Sequence, residues 1–443
     1  MKSIIGNELI NFLNYAHDEY HAVDYLKRKL NENSFIELKE DEDFKLLPGL
    51  SYYIIRNGNS IIAFKIPKVI KEVKFNIVAA HTDSPVFKIK ENPSLIDESY
   101  ERIKVEGYGG MIISTFLDRP LSFSGRIIVS KDNEIYSKLV DDDKATMIIP
   151  NVAIHQNREI NTTFQYNIQN DLNALFSCNN DVHFLDYITK FCDENEKIIG
   201  YDLNLYLREK ASYVGMDDEF ISGPKLDDLS SLYGGFAGFL KSNPINSIPV
   251  MVGFYNEETG SSSYSGADSD FLTNTLRRIS NRFDSSYQSY EKAMKKSFLI
   301  SADNAHAIHP NHPEKSDNKN KCYLNKGIVL KFNSSMNYTT DALSGSLIKK
   351  INEMINLPTQ IFFNRSDVRG GGTLGSISMS HSSILSCDIG LPQLAMHSAF
   401  ETMGSEDIIY MVSLIETFMS LDLKISDGTI KITTTNKTKN KVL

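Results

Sequence analysis

The sequence predicts an α/β protein: a mixed sheet sandwiched by helices, with a β-rich module inserted into the chain. Short apolar runs typical of buried parallel strands recur along the chain, and helical patterns lie between them. Residues 93–220 instead show short strand-like pieces separated by polar turns. The length of 443 residues favours about two domains. We therefore expect one domain built from residues 1–92 and 221–443, and a second formed by residues 93–220.

The individual elements follow from the spacing of apolar residues. Residues 8–30 carry apolar side chains at helical spacing, which predicts helical structure. Two alternating runs flank Asn57-Gly58-Asn59 and predict a hairpin. Strands are predicted at 75–80, 250–255, 298–300 and 384–389, and helices at 227–241, 269–279, 341–355 and 404–420. Strands and helices that alternate in this way indicate a sheet with helices on both faces.

The composition excludes several classes of function. Lys and Arg number 47 against 56 Asp and Glu, and the net charge of −9 argues against a nucleic-acid partner. No secretory signal opens the chain, and no apolar run approaches the roughly 20 residues that span a bilayer. The four cysteines lie far apart without a Cys-x-x-Cys motif, which is typical of reduced thiols. We expect a cytoplasmic protein that binds neither membrane nor nucleic acid.

Metal-binding residue types follow the predicted strands. The set consists of His81 and Asp83 after 75–80, Glu257 and Glu258 after 250–255, Asp303 after 298–300, His397 after 384–389, and Asp227 at the start of a helix. Sites in open α/β sheets form at the carboxyl ends of the strands. Two imidazoles, of His81 and His397, and three carboxylates, of Asp303, Asp227 and one of the two glutamates, suit zinc. Five ligands suit two ions better than one. The pattern therefore favours a two-metal site.

Two local spacings suggest roles, and each has an ordinary alternative. Asp83, two residues after His81, is placed to accept the second ring N–H of that histidine. In the pair Glu257-Glu258, one carboxylate can bind metal while its neighbour acts as general base. Taken singly, His-x-Asp is more often a surface loop, a Glu pair a solvated face, and Asp303 a helix N-cap. The repeated placement after strands favours the metal site.

Glycines at 370, 372 and 375 match a dinucleotide-binding pattern. That pattern should follow a strand directly and open a helix, but 365–369 intervene and no clear helix signal comes after. A substrate-facing loop or tight turn is therefore favoured over a nucleotide site. No Gly-Lys-Ser/Thr motif is present, and no cysteine has a histidine nearby to activate it.

At the candidate metal-binding residues, the chain resembles the aspartyl aminopeptidase (vacuolar aminopeptidase I) family of zinc metallopeptidases. The resemblance runs nearly from end to end. Its strongest motifs are AHTDSP at 80–85, PKLDDL at 224–229, NEE at 256–258, SADNAHAIHPN at 301–311 and PQLAMHS at 392–398. Among the departures from the family pattern, Asp228 replaces a usual Asn and Gly372 replaces a common Ser. Neither departure removes a ligand, but both leave the side-chain preference open.

The resemblance implies a complete set of roles. His81 and Asp303 would hold one zinc, Glu258 and His397 the other, and Asp227 would bridge them. Glu257 would be the general base and Asp83 would orient His81. The implied substrate-binding residues are His306, Lys331, Tyr338 and His155, the last reaching the active site of a neighbouring subunit.

The family also implies an assembly and a substrate. Residues 93–220 resemble its dimerisation domain, and dimers would assemble into a tetrahedral dodecamer. The substrates would be peptides with N-terminal residues that are acidic. Two zinc ions per subunit are expected, although cobalt or manganese also suit such ligands. Two alternatives stay open: another zinc amidohydrolase, such as a carboxypeptidase or deacetylase, and a non-catalytic assembly protein with a remnant site.

Overall fold

The structure, a computed structural model, describes residues 2–97, 99–178, 183–368 and 370–434, without the side chains of 378–380. Its strands are β1 (Ile36–Glu37), β2 (Ser51–Arg56), β3 (Ser60–Lys65), β4 (Phe75–His81), β5 (Val86–Ile96), β6 (Glu101–Tyr108), β7 (Leu121–Lys131), β8 (Glu134–Asp141), β9 (Ala174–Ser177), β10 (Lys197–Leu207), β11 (Ser212–Val214), β12 (Phe220–Gly223), β13 (Ile248–Phe254), β14 (Phe298–Ala302), β15 (Ala305–His306), β16 (Ile328–Lys331), β17 (Thr359–Phe362), β18 (Leu385–Gly390), β19 (Pro392–Leu394), β20 (Glu401–Gly404), β21 (Asp422–Ser426) and β22 (Thr429–Thr433). Its α-helices are α1 (Ile4–Leu13), α2 (Glu19–Glu32), α3 (Ile168–Asp171), α4 (Phe184–Ile188), α5 (Leu226–Lys241), α6 (Phe271–Phe283), α7 (Ser289–Met294), α8 (Ala342–Met354), α9 (Leu374–Ser382) and α10 (Asp407–Ser420).

Within these ranges the largest sheet has nine strands in the order β1-β2-β3-β13-β4-β14-β18-β16-β17. Its four central strands, β13, β4, β14 and β18, are parallel to one another. Antiparallel neighbours flank them on both sides, β3 next to β13 and β16 next to β18. The predicted mixed α/β sheet is confirmed, and its central strands end at one common edge.

Helices cover both faces of this sheet because its central strands are apolar on both sides. Val78 and Ala80 of β4 pack into a core with α1, α2, α5, α8 and α10. Phe75, Ile77 and Ala79, which alternate with them, pack into a second core with α6 and α7. A strand buried on both faces reads as a continuous apolar run, which is how β4 was recognisable in the sequence.

A second, antiparallel sheet of the described residues has the order β8-β7-β10-β5-β6-β9 and its own apolar core. It begins at Val86 and ends at Leu207. Strands β11 and β12 instead join β20, β19 and β15 in a five-stranded sheet. The division into domains at 93 and 220 stays a prediction.

The helical stretch predicted at 8–30 consists of two helices in the structure, with a break between Leu13 and Glu19. α1 ends at Leu13, and Asp18 caps α2 by accepting hydrogen bonds from the backbone N–H groups of Tyr20 and His21. Apolar spacing continues across the break, so periodicity alone joined the two helices. No helix in the described part of the chain has the length and apolar character to cross a membrane.

Candidate metal centre and active site

The parallel strands of the nine-stranded sheet bring the predicted ligands together. β4 ends at His81, Asp303 follows β14, and the turn that carries Glu257 and Glu258 follows β13. Asn256 turns the chain into that segment through a left-handed backbone, with φ of 74°. These ends surround a cavity of about 320 Å³, which all the predicted site residues except Asp83 and His155 line.

Asp227 lies between the two predicted histidine ligands. Its Oδ1 is 3.6 Å from Nε2 of His81, and its Oδ2 is 3.6 Å from Nε2 of His397. Nε2 of His397 is also 3.4 Å from Oε2 of Glu258. One carboxylate therefore faces a different imidazole with each oxygen, which is the arrangement of a ligand shared by two cations.

The potential ligand atoms form overlapping clusters within 4.8 Å. One cluster contains His81, Asp227, Asp228 and Asp303, and another contains Asp227, Glu258 and His397. A third joins His81 to Glu257 and Glu258. The first two share Asp227 alone, so the geometry offers two adjacent cation positions.

Buried carboxylate oxygens in this cavity lack hydrogen-bond donors. Oδ1 of Asp227, Oδ1 of Asp228 and Oε1 of Glu258 have no hydrogen-bond partner among the described residues. Asp227 and Asp228 are almost completely buried. Burying a charged oxygen without a partner is costly, and a bound cation removes that cost. The residues present therefore fit a metal centre built from imidazole and carboxylate ligands.

His81 is held by a backbone carbonyl more closely than by a carboxylate. Its Nδ1 lies 3.0 Å from the carbonyl oxygen of Asp83 and 3.5 Å from Asp83 Oδ1. Donation from Nδ1–H to that carbonyl leaves the lone pair of Nε2 free to bind a cation on the side of Asp227. The role predicted for the Asp83 side chain, orienting His81, stays a prediction.

The Asp83 carboxylate holds the turn that carries the glutamates. It accepts hydrogen bonds from the backbone N–H groups of Glu257 and Glu258, both at 3.2 Å. The hydroxyl of Tyr108 donates to it at 2.6 Å. These contacts fix where both glutamates enter the cavity.

The cavity shifts the acidity of its carboxyl groups in opposite directions. Burial raises the pKa of Glu257 to about 7, because it disfavours the charged form. Burial acts the same way on Asp227, but the imidazoles of His397 and His81 outweigh it and hold the pKa of Asp227 below its usual value. Carboxyl groups with pKa values driven apart are typical of sites where one binds charge and the other moves a proton.

Lys331, one of the predicted substrate-binding residues, is already engaged. Its ammonium donates to the carbonyl of Asn304 at 2.9 Å and lies 3.4 Å from Oδ2 of Asp303. Three N–H donors leave it one for a ligand. His306 and Tyr338 line the same cavity, whereas His155 is exposed and does not line it in this chain.

Glu401 was missed by the sequence analysis. It is buried on β20, and its Oε1 accepts the backbone N–H of His397 at 2.6 Å while Oε2 accepts that of Asp227 at 3.0 Å. One carboxylate thus ties together two segments that carry predicted ligands. The available sequence signal was a glutamate four residues after His397.

Asp228 was noted only as a departure from the family pattern. Its Oδ2 accepts the backbone N–H of His81 at 3.2 Å, so it supports the end of β4.

The glycine-rich segment forms part of the cavity wall. Gly371 and Gly372 line the cavity, and α9 begins at Leu374, a helix that the sequence analysis did not predict. A side chain at Gly375 would lie 2.7 Å from Cβ of Ser301 and 2.9 Å from Oδ1 of Asp388. Close packing accounts for that glycine.

An α/β sheet with buried histidine and carboxylate ligands at its carboxyl edge defines the class of metal-dependent hydrolases. The family model described as aminopeptidase I zinc metalloprotease (M18) matches residues 12–419. The chain belongs to this family and is a hydrolase, a zinc-dependent aminopeptidase.

Individual relatives are similar to this chain over nearly its whole length. A probable M18 family aminopeptidase 2 of Clostridium novyi (strain NT) is 42% identical over 426 residues, covering 94% of this chain and 98% of the relative. The chain is similar to a structure of the Ape4 and Nbr1 complex, with TM-score 0.90, 33% identity, and 94% and 85% of the two chains covered. It is also similar to the mApe1 dodecamer of S. cerevisiae, with TM-score 0.81, 26% identity, and coverage of 94% and 96%.

Proposed function

We propose that the protein removes N-terminal residues, preferably acidic ones, from peptides with the help of two zinc ions. The observation that supports this most is the position of Asp227, shared by two clusters of potential ligand atoms. In this proposal His81 and Asp303 hold one ion, Glu258 and His397 hold the other, and Asp227 bridges them. Zinc at such a centre supplies Lewis acidity and makes water a nucleophile at neutral pH.

Glu257 is the proposed general base. Its carboxyl group lines the cavity beside the ligands, and Asp83 fixes its backbone. A carboxylate in that position takes a proton from the attacking water and returns it to the departing amine. The neighbouring Glu258 is directed to His397 instead, 3.4 Å away, so the pair divides the two tasks.

Lys331, His306 and Tyr338 are the proposed contacts for an acidic side chain. The free third proton of Lys331 and the hydroxyl of Tyr338 are donors that suit a carboxylate. His155 would add a donor from a neighbouring subunit, which agrees with its exposure in the single chain. Residues 93–220 are the proposed dimerisation domain, and a dodecamer like that of mApe1 is the proposed assembly.

A cytoplasmic location is also proposed. It is supported by the four cysteines, which form no disulfide with one another.

A panel of substrates tests the proposal. We expect the purified protein to hydrolyse Asp-Ala and Glu-Ala faster than Leu-Ala, and to leave N-acetyl-Asp-Ala intact. The activity should disappear with a chelator and return with zinc, cobalt or manganese. Hydrolysis of the acetylated peptide at a similar rate would point instead to a carboxypeptidase or deacetylase. Inactivity with every metal would leave the remnant-site alternative.

A further inference from the structure

A second cavity, of about 420 Å³, adjoins the metal cavity. The two share His306, Phe362 and Gly371 as walls. The floor of the second cavity includes residues of β15 and β19, and its outer wall is the segment that contains His309, His312 and Lys315. A ligand can therefore extend from one cavity into the other past these shared side chains.

The charges of the two cavities are opposite. Four carboxyl groups line the metal cavity: Asp227, Glu257, Glu258 and Asp303. Asp317 is the one acid among the described residues that line the second cavity, and its Oδ1 already accepts the backbone N–H groups of Lys319 and Asn320 at 2.9 and 2.8 Å. The second cavity therefore has little free negative charge.

Several donors that line the second cavity have no hydrogen-bond partner among the described residues. Lys315 makes no ion pair with any described residue, whereas Arg365 is paired with Asp367 through both Nε and Nη2. Nδ2 of Asn364 is buried and has no hydrogen-bond partner among the described residues. Nδ1 of His309 accepts the N–H of Asn311 at 3.2 Å, which leaves its Nε2 to carry the proton and donate. Such a set suits a carboxylate.

Burial indicates which part of a peptide would lie there. An aminopeptidase holds the first residue beside the metals, where His81, Asp227, Lys331 and Tyr338 are buried. The rest of the peptide must lead outward to solvent. The second cavity is the open continuation, since Lys315 and its neighbours are exposed.

We propose that the second cavity binds the part of the peptide after the scissile bond, and that Lys315 takes a carboxylate there. The inference rests on the proposed function and deepens it: the favoured substrates are short peptides, or peptides with an acidic residue after the first. Two sources supply the same group, the C-terminal carboxylate and an acidic side chain.

The test measures binding rather than turnover. Zinc-loaded protein with Glu257→Gln is titrated by calorimetry with Asp-Ala, Asp-Ala-Ala, Asp-Ala-amide and Asp-Glu-amide. The constant first residue keeps contacts in the metal cavity the same. Tighter binding of Asp-Ala or Asp-Ala-Ala than of Asp-Ala-amide reports a C-terminal carboxylate, and tighter binding of Asp-Glu-amide reports a side chain.

Adding Lys315→Gln should weaken binding of the preferred carboxylate peptide about tenfold and leave Asp-Ala-amide unchanged, as expected for one charge-assisted hydrogen bond. Lys315→Arg should restore most of the affinity. Lys319→Gln, an exposed lysine of the same segment outside the cavity, is the matched control. Equal effects of Lys315→Gln on all four peptides, or none, would overturn the inference.

Turnover of Asp-Ala-amide by the unsubstituted enzyme is measured separately. Its absence would count against the proposed function, whereas the binding differences report the second cavity alone.

Discussion

Two buried clusters of histidines and carboxylates, close in composition, differ in how their charges are paired. The junction cluster, where α2 meets the six-stranded sheet, contains His17, Asp18, Glu19, His21, Lys88 and Asp141. Asp18 accepts Nδ1–H of His21 at 2.6 Å, and Glu19 lies 3.2 Å from the ammonium of Lys88. Around the metal cavity, by contrast, one carboxylate oxygen each of Asp227, Asp228 and Glu258 has no hydrogen-bond donor among the described residues.

The difference shows that residue types alone do not distinguish a structural cluster from a binding site. A buried carboxylate whose donors come from the protein stabilises the fold around it. A buried carboxylate without donors raises the free energy of the empty protein and is stabilised by an added cation. Substitutions in the two clusters should therefore respond differently to metal.

The largest effect is expected from Glu257→Gln in the metal cavity. The substitution removes the proposed base but no proposed ligand, so kcat should fall by about 10³-fold or more while zinc content stays the same. Steady-state assays and mass spectrometry of metal content measure both. A kcat within tenfold of the unsubstituted enzyme would remove Glu257 from the mechanism. Glu291→Gln, an exposed glutamate far from both cavities in the chain, is the control.

Glu258→Gln should separate stability from metal binding. The unsubstituted protein should gain about 4 kcal/mol in the free energy of unfolding when zinc is present well above its Kd. The variant should lose most of that gain, and its metal-free form should be more stable than the metal-free unsubstituted protein, because burial disfavours the charged form of Glu258 and raises its pKa. Denaturant unfolding with and without chelator measures this. A metal-free variant less stable than its parent would contradict the contrast between the clusters.

Asp18→Asn in the junction cluster should show the opposite behaviour. An amide has one acceptor oxygen, so it cannot both cap α2 and accept Nδ1–H of His21. The ion pair with His21 is also lost, and the free energy of unfolding should fall by about 3 kcal/mol with or without zinc. The kcat of the remaining folded protein should not change. A loss of stability that appears only with metal present would show that the two clusters are coupled.

Glu401→Gln is expected to have the smallest effect. Its carboxylate accepts from the backbone of both Asp227 and His397, and an amide can accept only one of those hydrogen bonds. Zinc affinity should fall about tenfold, as for other residues that orient ligands, while the kcat of the zinc-saturated variant stays near normal. Competition with a chromophoric chelator gives the affinity. Unchanged affinity would make Glu401 a purely structural residue.

The sequence predicted the central strands because β4, β13, β14 and β18 are apolar on both faces. It singled out most of the candidate ligands because they follow the predicted strands. The break between α1 and α2 could not be predicted from apolar spacing. The spacing continues across it, whereas the backbone leaves the helix and Asp18 caps a new one. The contacts of Glu401 with Asp227 and of Asp228 with His81 were not predicted, because in each pair the two residues are distant in the chain. Their contacts, to Asp227 and His397 and to His81, depend on how the sheets pack.

The sequence by itself determined the α/β class and the positions of the four central strands along the chain, and it singled out the candidate metal ligands, because alternation, apolar runs and residue chemistry are local properties. The tertiary structure alone decided which buried carboxylates have hydrogen-bond donors from the protein and which have an oxygen without one among the described residues. It also decided that a second cavity of opposite charge opens beside the first. Pairing and cavity shape depend on groups far apart in the chain, and no local pattern encodes the distance between them.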